Sequence, residues 1–216
     1  PITSSSCKSL KYLDVSKWDL SGVKNMSELF SGCEKLIWVD KNKDKTIFSG
    51  ASNYKDDGAI HIFAHGSSKG ISVCIDGKNQ KIKDSKQLNN LLSKYSDIWK
   101  NKKEGDDIVI ILHSCRTGEG ENSFAQTISK ELGVTVVAPN QRDYFSNEGE
   151  IGTYKAKYVN ENNEYKHDEN GQIKSKERSN TMGTWRVFKK GSGSLSIPGS
   201  KNNDGKVDVT GTTIKG

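Results

Sequence analysis

The chain has no long apolar run. Nothing in its 216 residues approaches the roughly 18 consecutive apolar positions that a membrane-spanning helix needs. No basic-then-apolar segment opens it either, so any export signal is expected to have been removed or to lie outside this sequence. Apolar residues are scarce throughout, at 32% of the chain, with a mean hydropathy of −0.74. A chain of this length still buries a core, so its apolar residues must be gathered into a few buried segments separated by long polar stretches. Cysteine is equally sparse. Cys7, Cys33, Cys74 and Cys115 are too few for a disulfide scaffold and contain no CxxC pair for zinc. Arginine is scarcer than the charge suggests: Arg116, Arg142, Arg178 and Arg186 are the only four among 33 basic residues, which face 27 acidic ones for a net charge of +6. That balance permits an anionic partner. A nucleic-acid reader, however, carries an Arg-rich stripe with interleaved aromatics, and scattered lysines describe a solvated surface, so no nucleic acid is expected as a partner.

What is present begins with a repeat. Residues 7–14, CKSLKYLD, align with residues 33–40, CEKLIWVD, at a constant offset of 26 that superposes Cys7 on Cys33, Leu10 on Leu36 and Asp14 on Asp40. A period of this size with L-x-x-L spacing belongs to solenoid units that bury their faces against the next copy. Residues 13–33, LDVSKWDLSGVKNMSELFSGC, resemble the BspA-type leucine-rich repeats of bacterial surface proteins. The resemblance implies that residues 1–48 end a longer extracellular array, with Cys7 and Cys33 as buried ladder positions; a small helical cap on the following domain is the alternative.

The middle of the chain reads as a parallel α/β core. Residues 59–64 (AIHIFA), 108–112 (IVIIL) and 134–139 (VTVVAP) are short apolar runs of the kind that strands buried on both faces show. ISVCI (residues 71–75) followed by Asp76-Gly77 predicts a strand and hairpin turn. Between the runs, Ser85 offers an N-cap and Leu88, Leu91, Leu92 and Tyr95 predict a helix over residues 85–99. Ser123 and Gln126 form a capping box for a helix carrying Phe124, Ile128 and Leu132, closed by Gly133. Strand, helix, strand, helix, strand predicts a doubly wound sheet over residues 49–190, α/β in class. Residues 140–190 are polar, with an Asn170-Gly171 turn and exposed strands expected around residues 153–159 and 184–188, as an antiparallel extension. Residues 191–216 read as a flexible polar tail. Within it Asn202, Asp204 and Asp208 fall at calcium-loop offsets, but the first and last ligand positions are Ser200 and Gly211. No metal is therefore expected there.

Catalytic groups of an open parallel sheet gather at the carboxyl ends of its strands. His65-Gly66 and Cys115 both stand at such ends, 50 residues apart with one crossover helix between them. A right-handed βαβ unit would place the two ends side by side, where imidazole and thiol form a base and nucleophile. A free cysteine is more often a small buried hydrophobe, but the polar loop HSCRTGEG (residues 113–120) gives a packing cysteine little to pack against. His113 is a competing base, although a spacing of two in an extended segment points it the same way as Cys115. His61 opens its strand at the wrong end, His167 reads as solvated and Cys74 as packed.

HIFAHG (residues 61–66) and IVIILHSC (residues 108–115) resemble the two signatures of caspase-like cysteine peptidases, and the spacing matches the about 50 residues from His to Cys in caspases. Ser114 and Thr117 depart from the caspase string. A closer similarity is to the autoprocessing cysteine-protease domain of repeats-in-toxin proteins, which SKQLNNLLSKY (residues 85–95) and ENSFAQTISKELG (residues 121–133) also resemble, over roughly residues 58–140. This resemblance implies a three-layer α/β/α fold and a thiol endopeptidase. His65 would be its base, Cys115 its nucleophile, and the backbone N–H groups of Gly66 and Cys115 its oxyanion site. Arg116, Ser114 and His113 are candidates for substrate binding. No cofactor is required, and an anionic small molecule is the activator the resemblance suggests. The expected partners are a polypeptide substrate, from its own chain or a target cell, and a neutralising immunity protein. The expected setting is a bacterial protein, secreted or on the cell surface, or delivered into a target cell. The alternative is a catalytically inactive caspase-like binding module linked to leucine-rich repeats.

Overall fold

The computed structural model describes residues 34–54, 59–149 and 151–189 and the backbone of 192–198. The first copy of the repeat, Cys7, Cys33 and the calcium-like offsets Asn202, Asp204 and Asp208 lie outside these residues. In chain order the elements are β1 (Glu34–Ile37), α1 (Lys45–Asn53), β2 (Ile60–Phe63), β3 (His65–Ser67), β4 (Gly70–Ile75), β5 (Lys78–Ile82), α2 (Ser85–Tyr95), α3 (Asp97–Asn101) and β6 (Val109–His113). Then follow α4 (Phe124–Leu132), β7 (Thr135–Pro139), β8 (Arg142–Phe145), β9 (Ile151–Ala156), β10 (Arg178–Met182), β11 (Thr184–Lys189) and β12 (Ser192–Pro198).

The fold is mixed α/β. A six-stranded sheet runs β1-β2-β6-β7-β11-β12. Its first four strands are parallel and β11 and β12 are antiparallel. The three apolar runs supply β2, β6 and β7, whose residues are buried almost without exception because helices or a second sheet cover both faces. On one face Ile60, Ile62, Ile110, Leu112 and Val136 pack against Leu88 and Leu92 of α2, Trp99 of α3 and Phe124 and Ile128 of α4. On the other, Phe63, Ile111, Val137, Trp185 and Val187 pack against Ala51 of α1 and Ile151 of β9. One helix and the three-stranded β10-β9-β8 sheet thus cover this second face, in place of the wholly helical layer that the resemblance implies. A further small sheet, β3-β4-β5, follows β2 directly.

Local chemistry accounts for the boundaries. Asp76 and Gly77 both have positive φ, as the two-residue β4–β5 turn requires. The helix expected over residues 85–99 breaks at Ser96, whose hydroxyl accepts the N–H of Trp99 and so starts α3. Its N-cap is Asp84 rather than Ser85: the Asp84 carboxylate accepts the Gln87 N–H while Gln87 accepts the Lys83 N–H. Gly133 ends α4 at φ 66°, a left-handed position that favours glycine.

Four segments differ from the sequence reading. Residues 34–37, which the 26-residue period assigns to a repeat, form a parallel edge strand against β2, and the boundary drawn between residues 48 and 49 falls inside α1. Glu34 at the head of this strand accepts from the Ser96 hydroxyl and the Asp97 N–H, tying β1 to the α2–α3 junction. The two strands expected to be exposed are instead largely buried, and β11 joins the main sheet with Trp185, Val187 and Phe188 at about 1% exposure. Residues 192–198 of the expected tail pair with β11.

A chain starting at residue 49 would lack β1, the buried Leu36 and Trp38 and half of α1. It is expected to lose the cooperative melting transition in circular dichroism, whereas Trp38→Ala in the full chain should cost about 3–5 kcal/mol of stability. A start at residue 49 that melts like the full chain would show β1 to be dispensable.

Candidate active site

β2 and β6 run parallel in a register that pairs Phe63 with His113, and the Ala64 N–H still reaches the His113 carbonyl at 3.4 Å. His65 is two residues beyond one member of that pair and Cys115 two beyond the other, so the two candidate residues leave the sheet side by side. Gly66 sets how closely. A Cβ at Gly66 would lie 2.8 Å from the Ser114 Cβ and 2.9 Å from the Cys115 carbonyl oxygen, so only glycine lets these backbones meet.

The Cys115 loop is held from three directions. The Arg116 N–H donates to the Gln141 carbonyl and the Gly118 N–H to that of Pro139, which extends the β7 edge; the Ala125 N–H of α4 donates to the Thr117 carbonyl. Arg116 has φ 63°, an uncommon left-handed value for a side chain of its size. Its guanidinium bonds Glu119 and the Asn162 and Asn163 carbonyls and is therefore engaged in the loop rather than turned to a substrate. Asn163 is the hub of this brace: its side chain accepts from Arg142 and donates to Glu119 and Gln141. Arg186 adds bonds to the Gly118 and Gly120 carbonyls.

Cys115 itself is partly buried, its sulfur 4.0 Å from the Asp143 carbonyl oxygen. Burial, followed by the Asp143 charge, pushes the thiol up to about 11, so the resting form is the neutral thiol and not the thiolate expected for a ready nucleophile. Asp143 is buried and, among the described residues, neither carboxylate oxygen has a hydrogen-bond partner. Desolvation holds its carboxyl well above the usual range. Tyr144 and Tyr165 complete the surroundings, with Tyr165 beneath the Arg142 guanidinium at 4.2 Å.

His65 is 54% exposed, and its Nε2 lies 3.0 Å from the Asp44 carboxylate, leaving Nδ1 as the other ring nitrogen. Asp44 precedes α1 at the N-cap position, yet its side chain does not cap the helix; its second oxygen accepts the Asp40 N–H. Sequence reasoning missed this residue, although an N-cap aspartate is itself a visible signal. His113 sits in the core, 1% exposed, its ring stacked on Phe63 at 4.3 Å and its Nε2 2.9 Å from His61 Nδ1. Burial and the neighbouring His61 hold its pKa well below the ordinary value. The Ser114 hydroxyl is likewise buried and, among the described residues, has no partner. Both candidates are therefore enclosed by the protein in this structure. His61 is fully buried, Cys74 lies in β4 and His167 is exposed. Among the described residues no three His, Cys, Asp or Glu side chains converge as metal ligands.

A family model described as Domain of unknown function (DUF8616) matches residues 35–153. The chain belongs to that family. No curated protein and no solved structure matches it. The DUF8616 match contains Asp44, His65, Cys115 and Asp143 and runs from Lys35 in β1 to the middle of β9, while β11 of the main sheet lies beyond it.

The buried acid makes stability depend on pH. Burial raises the Asp143 carboxyl above its value in the unfolded chain, about 4, so folding takes up a proton above that pH and stability falls as pH rises from there. His113 acts oppositely, because the unfolded imidazole gains a proton below about pH 6.5 and the folded one does not. Asp143→Asn removes the titrating group and should raise the melting temperature at pH 7–8 while flattening its decline above about pH 4, as read by calorimetry over a pH series; an unchanged slope would assign the dependence elsewhere.

Proposed function

We propose that this chain is a caspase-like cysteine endopeptidase in which Cys115 is the nucleophile, His65 the general base and Asp44 the carboxylate that orients His65. The observation that carries the reading is the β2–β6 register, which brings a solvent-reachable imidazole and a loop thiol to adjacent strand ends with Gly66 packed on the Cys115 backbone. With Nε2 held by Asp44, Nδ1 of His65 takes the Cys115 proton and the thiolate attacks the scissile carbonyl. The backbone N–H groups of Gly66 and Cys115 hold the oxyanion, His65 returns the proton to the leaving amine, and water cleaves the thioester. A thiol pushed up to about 11 is ionised in roughly one molecule in ten thousand at neutral pH. Proton transfer to His65 is therefore part of the reaction and not a completed resting state. The setting is an exported bacterial protein. Its substrate is its own chain or a target-cell protein, and a neutralising immunity protein guards the producing cell.

A second reading, a caspase-like surface binding module without catalysis, is favoured by one observation: the sulfur faces the Asp143 carbonyl while His65 faces Asp44. Mass spectrometry of fragments of the chain itself separates the two. Cys115→Ala should abolish self-cleavage without unfolding, His65→Ala should slow it about 10²–10⁴-fold, and Asp44→Asn should slow it less. Cleavage that persists in Cys115→Ala would overturn the peptidase reading.

Alkylation of Cys115 by iodoacetamide should climb through the alkaline range toward about pH 11. A plateau already reached at neutral pH would show that the sulfur is not desolvated.

A further inference from the structure

Beside His65 a groove of about 300 Å³ crosses the outer face of the β3-β4-β5 sheet. Its shape follows from strand register. His65 pairs with Ser72 and Ser72 with Lys81, so these three side chains form one row on one face. The intervening Ile71 and Ile82 point inward to the core. The next row runs from Ser67 to Gly70, which presents no side chain and could not accept one: a Cβ there would lie 2.3 Å from the Ile82 carbonyl oxygen. Lys69, Lys81 and Lys83 line the groove and no acidic residue does. Among the described residues none of the three has a carboxylate partner. Asp84, next in sequence to Lys83, caps α2, and Asp44 is held by His65 and the Asp40 N–H.

We propose that this groove binds an acidic segment of the polypeptide substrate at positions flanking the scissile bond. The proposal rests on the peptidase reading for its orientation: a peptide whose carbonyl reaches Cys115 passes His65 and Gly66, which line the groove's end. The occupant is a peptide and not a compact polyphosphate because the lysines are spread along an open strand surface and no arginine offers a bidentate fork.

The test uses the full chain carrying Cys115→Ala, so that binding is read without turnover, and fluorescein-labelled hexaglutamate and hexaglutamine peptides in anisotropy titrations. At about 20 mM salt hexaglutamate should bind at least about tenfold more tightly than hexaglutamine, and the preference should fade at about 300 mM. Lys69→Gln, Lys81→Gln and Lys83→Gln together should weaken hexaglutamate binding about tenfold, because three exposed ion pairs each contribute a factor of about two to five. The same change at three exposed lysines elsewhere, Lys86, Lys103 and Lys130, should leave binding within about twofold. The His65 ring resonances should shift on titration. Equal loss in both triple variants, unmoved His65 resonances, or inorganic triphosphate binding more tightly than hexaglutamate at the same lysines would overturn the proposal. Self-cleavage that depends on Cys115 would survive that result, so failure here and failure of the peptidase reading are distinguishable.

Discussion

The pairing of Phe63 with His113 is the constraint on which the rest of the molecule depends. Both lie at the ends of strands buried on both faces, where a slip of one residue would turn every side chain to the wrong layer. Their rings stack nearly parallel, and the same layer contains His61, Tyr54 and Trp185. Burial, and after it the neighbouring His61, hold the pKa of the His113 imidazole well below its ordinary value. With that register locked, His65 and Cys115 have no freedom to separate along the strands. What remains adjustable is the path of two short loops, and Gly66 removes most of that for one of them.

The polar groups left unsatisfied are concentrated near this point. Ser114, Asp143 and Thr153 each bury a side-chain oxygen without a partner among the described residues, and Asp143 stands directly opposite Thr153 across β8 and β9. By contrast, the buried Ser129 hydroxyl bonds the Val134 and Phe188 carbonyls. An unpaired buried acid costs stability that a core without function would avoid. Perturbed groups of this kind gather where a protein does chemistry. Here the perturbed acid, the raised thiol and two raised tyrosines meet around one sulfur.

The strands of the core were legible because a short, continuous apolar run bounded by polar residues fits little besides a strand covered on both faces, and the side-by-side ends of β2 and β6 followed from the topology of parallel sheets. β1 was not, because EKLI is a short edge strand of mixed polarity whose residues also fit a 26-residue period. β11 reads as a surface strand because TWRVFK alternates with charged residues, and nothing local shows that both of its faces are covered. Asp44 lies 21 residues before His65 in a stretch that resembles part of a repeat, and only folding brings them together. Asp143 and Asn163 belong to a polar region with no periodicity, so their convergence on the Cys115 loop has no counterpart in sequence.

The scarcity of arginine acquires a meaning once its positions are known. Three of the four, Arg116, Arg142 and Arg186, brace the Cys115 loop or the Asn163 turn that rests on it, each through two or more bonds to fixed oxygens. The fourth, Arg178, lies over the Tyr154 ring. A rigid guanidinium fork suits that task, since its donors can bond several carbonyls in one geometry, which an ammonium on a flexible stem cannot do as well. Lysine takes the other role, as charge that stays hydrated at the surface of the small sheet beside His65. The division explains why the residue next to Cys115, which sequence alone presents as a substrate group, is part of the scaffold. It also explains why the positive charge beside His65 comes from lysines, at Lys69 in the β3–β4 turn, Lys81 in β5 and Lys83 just after it.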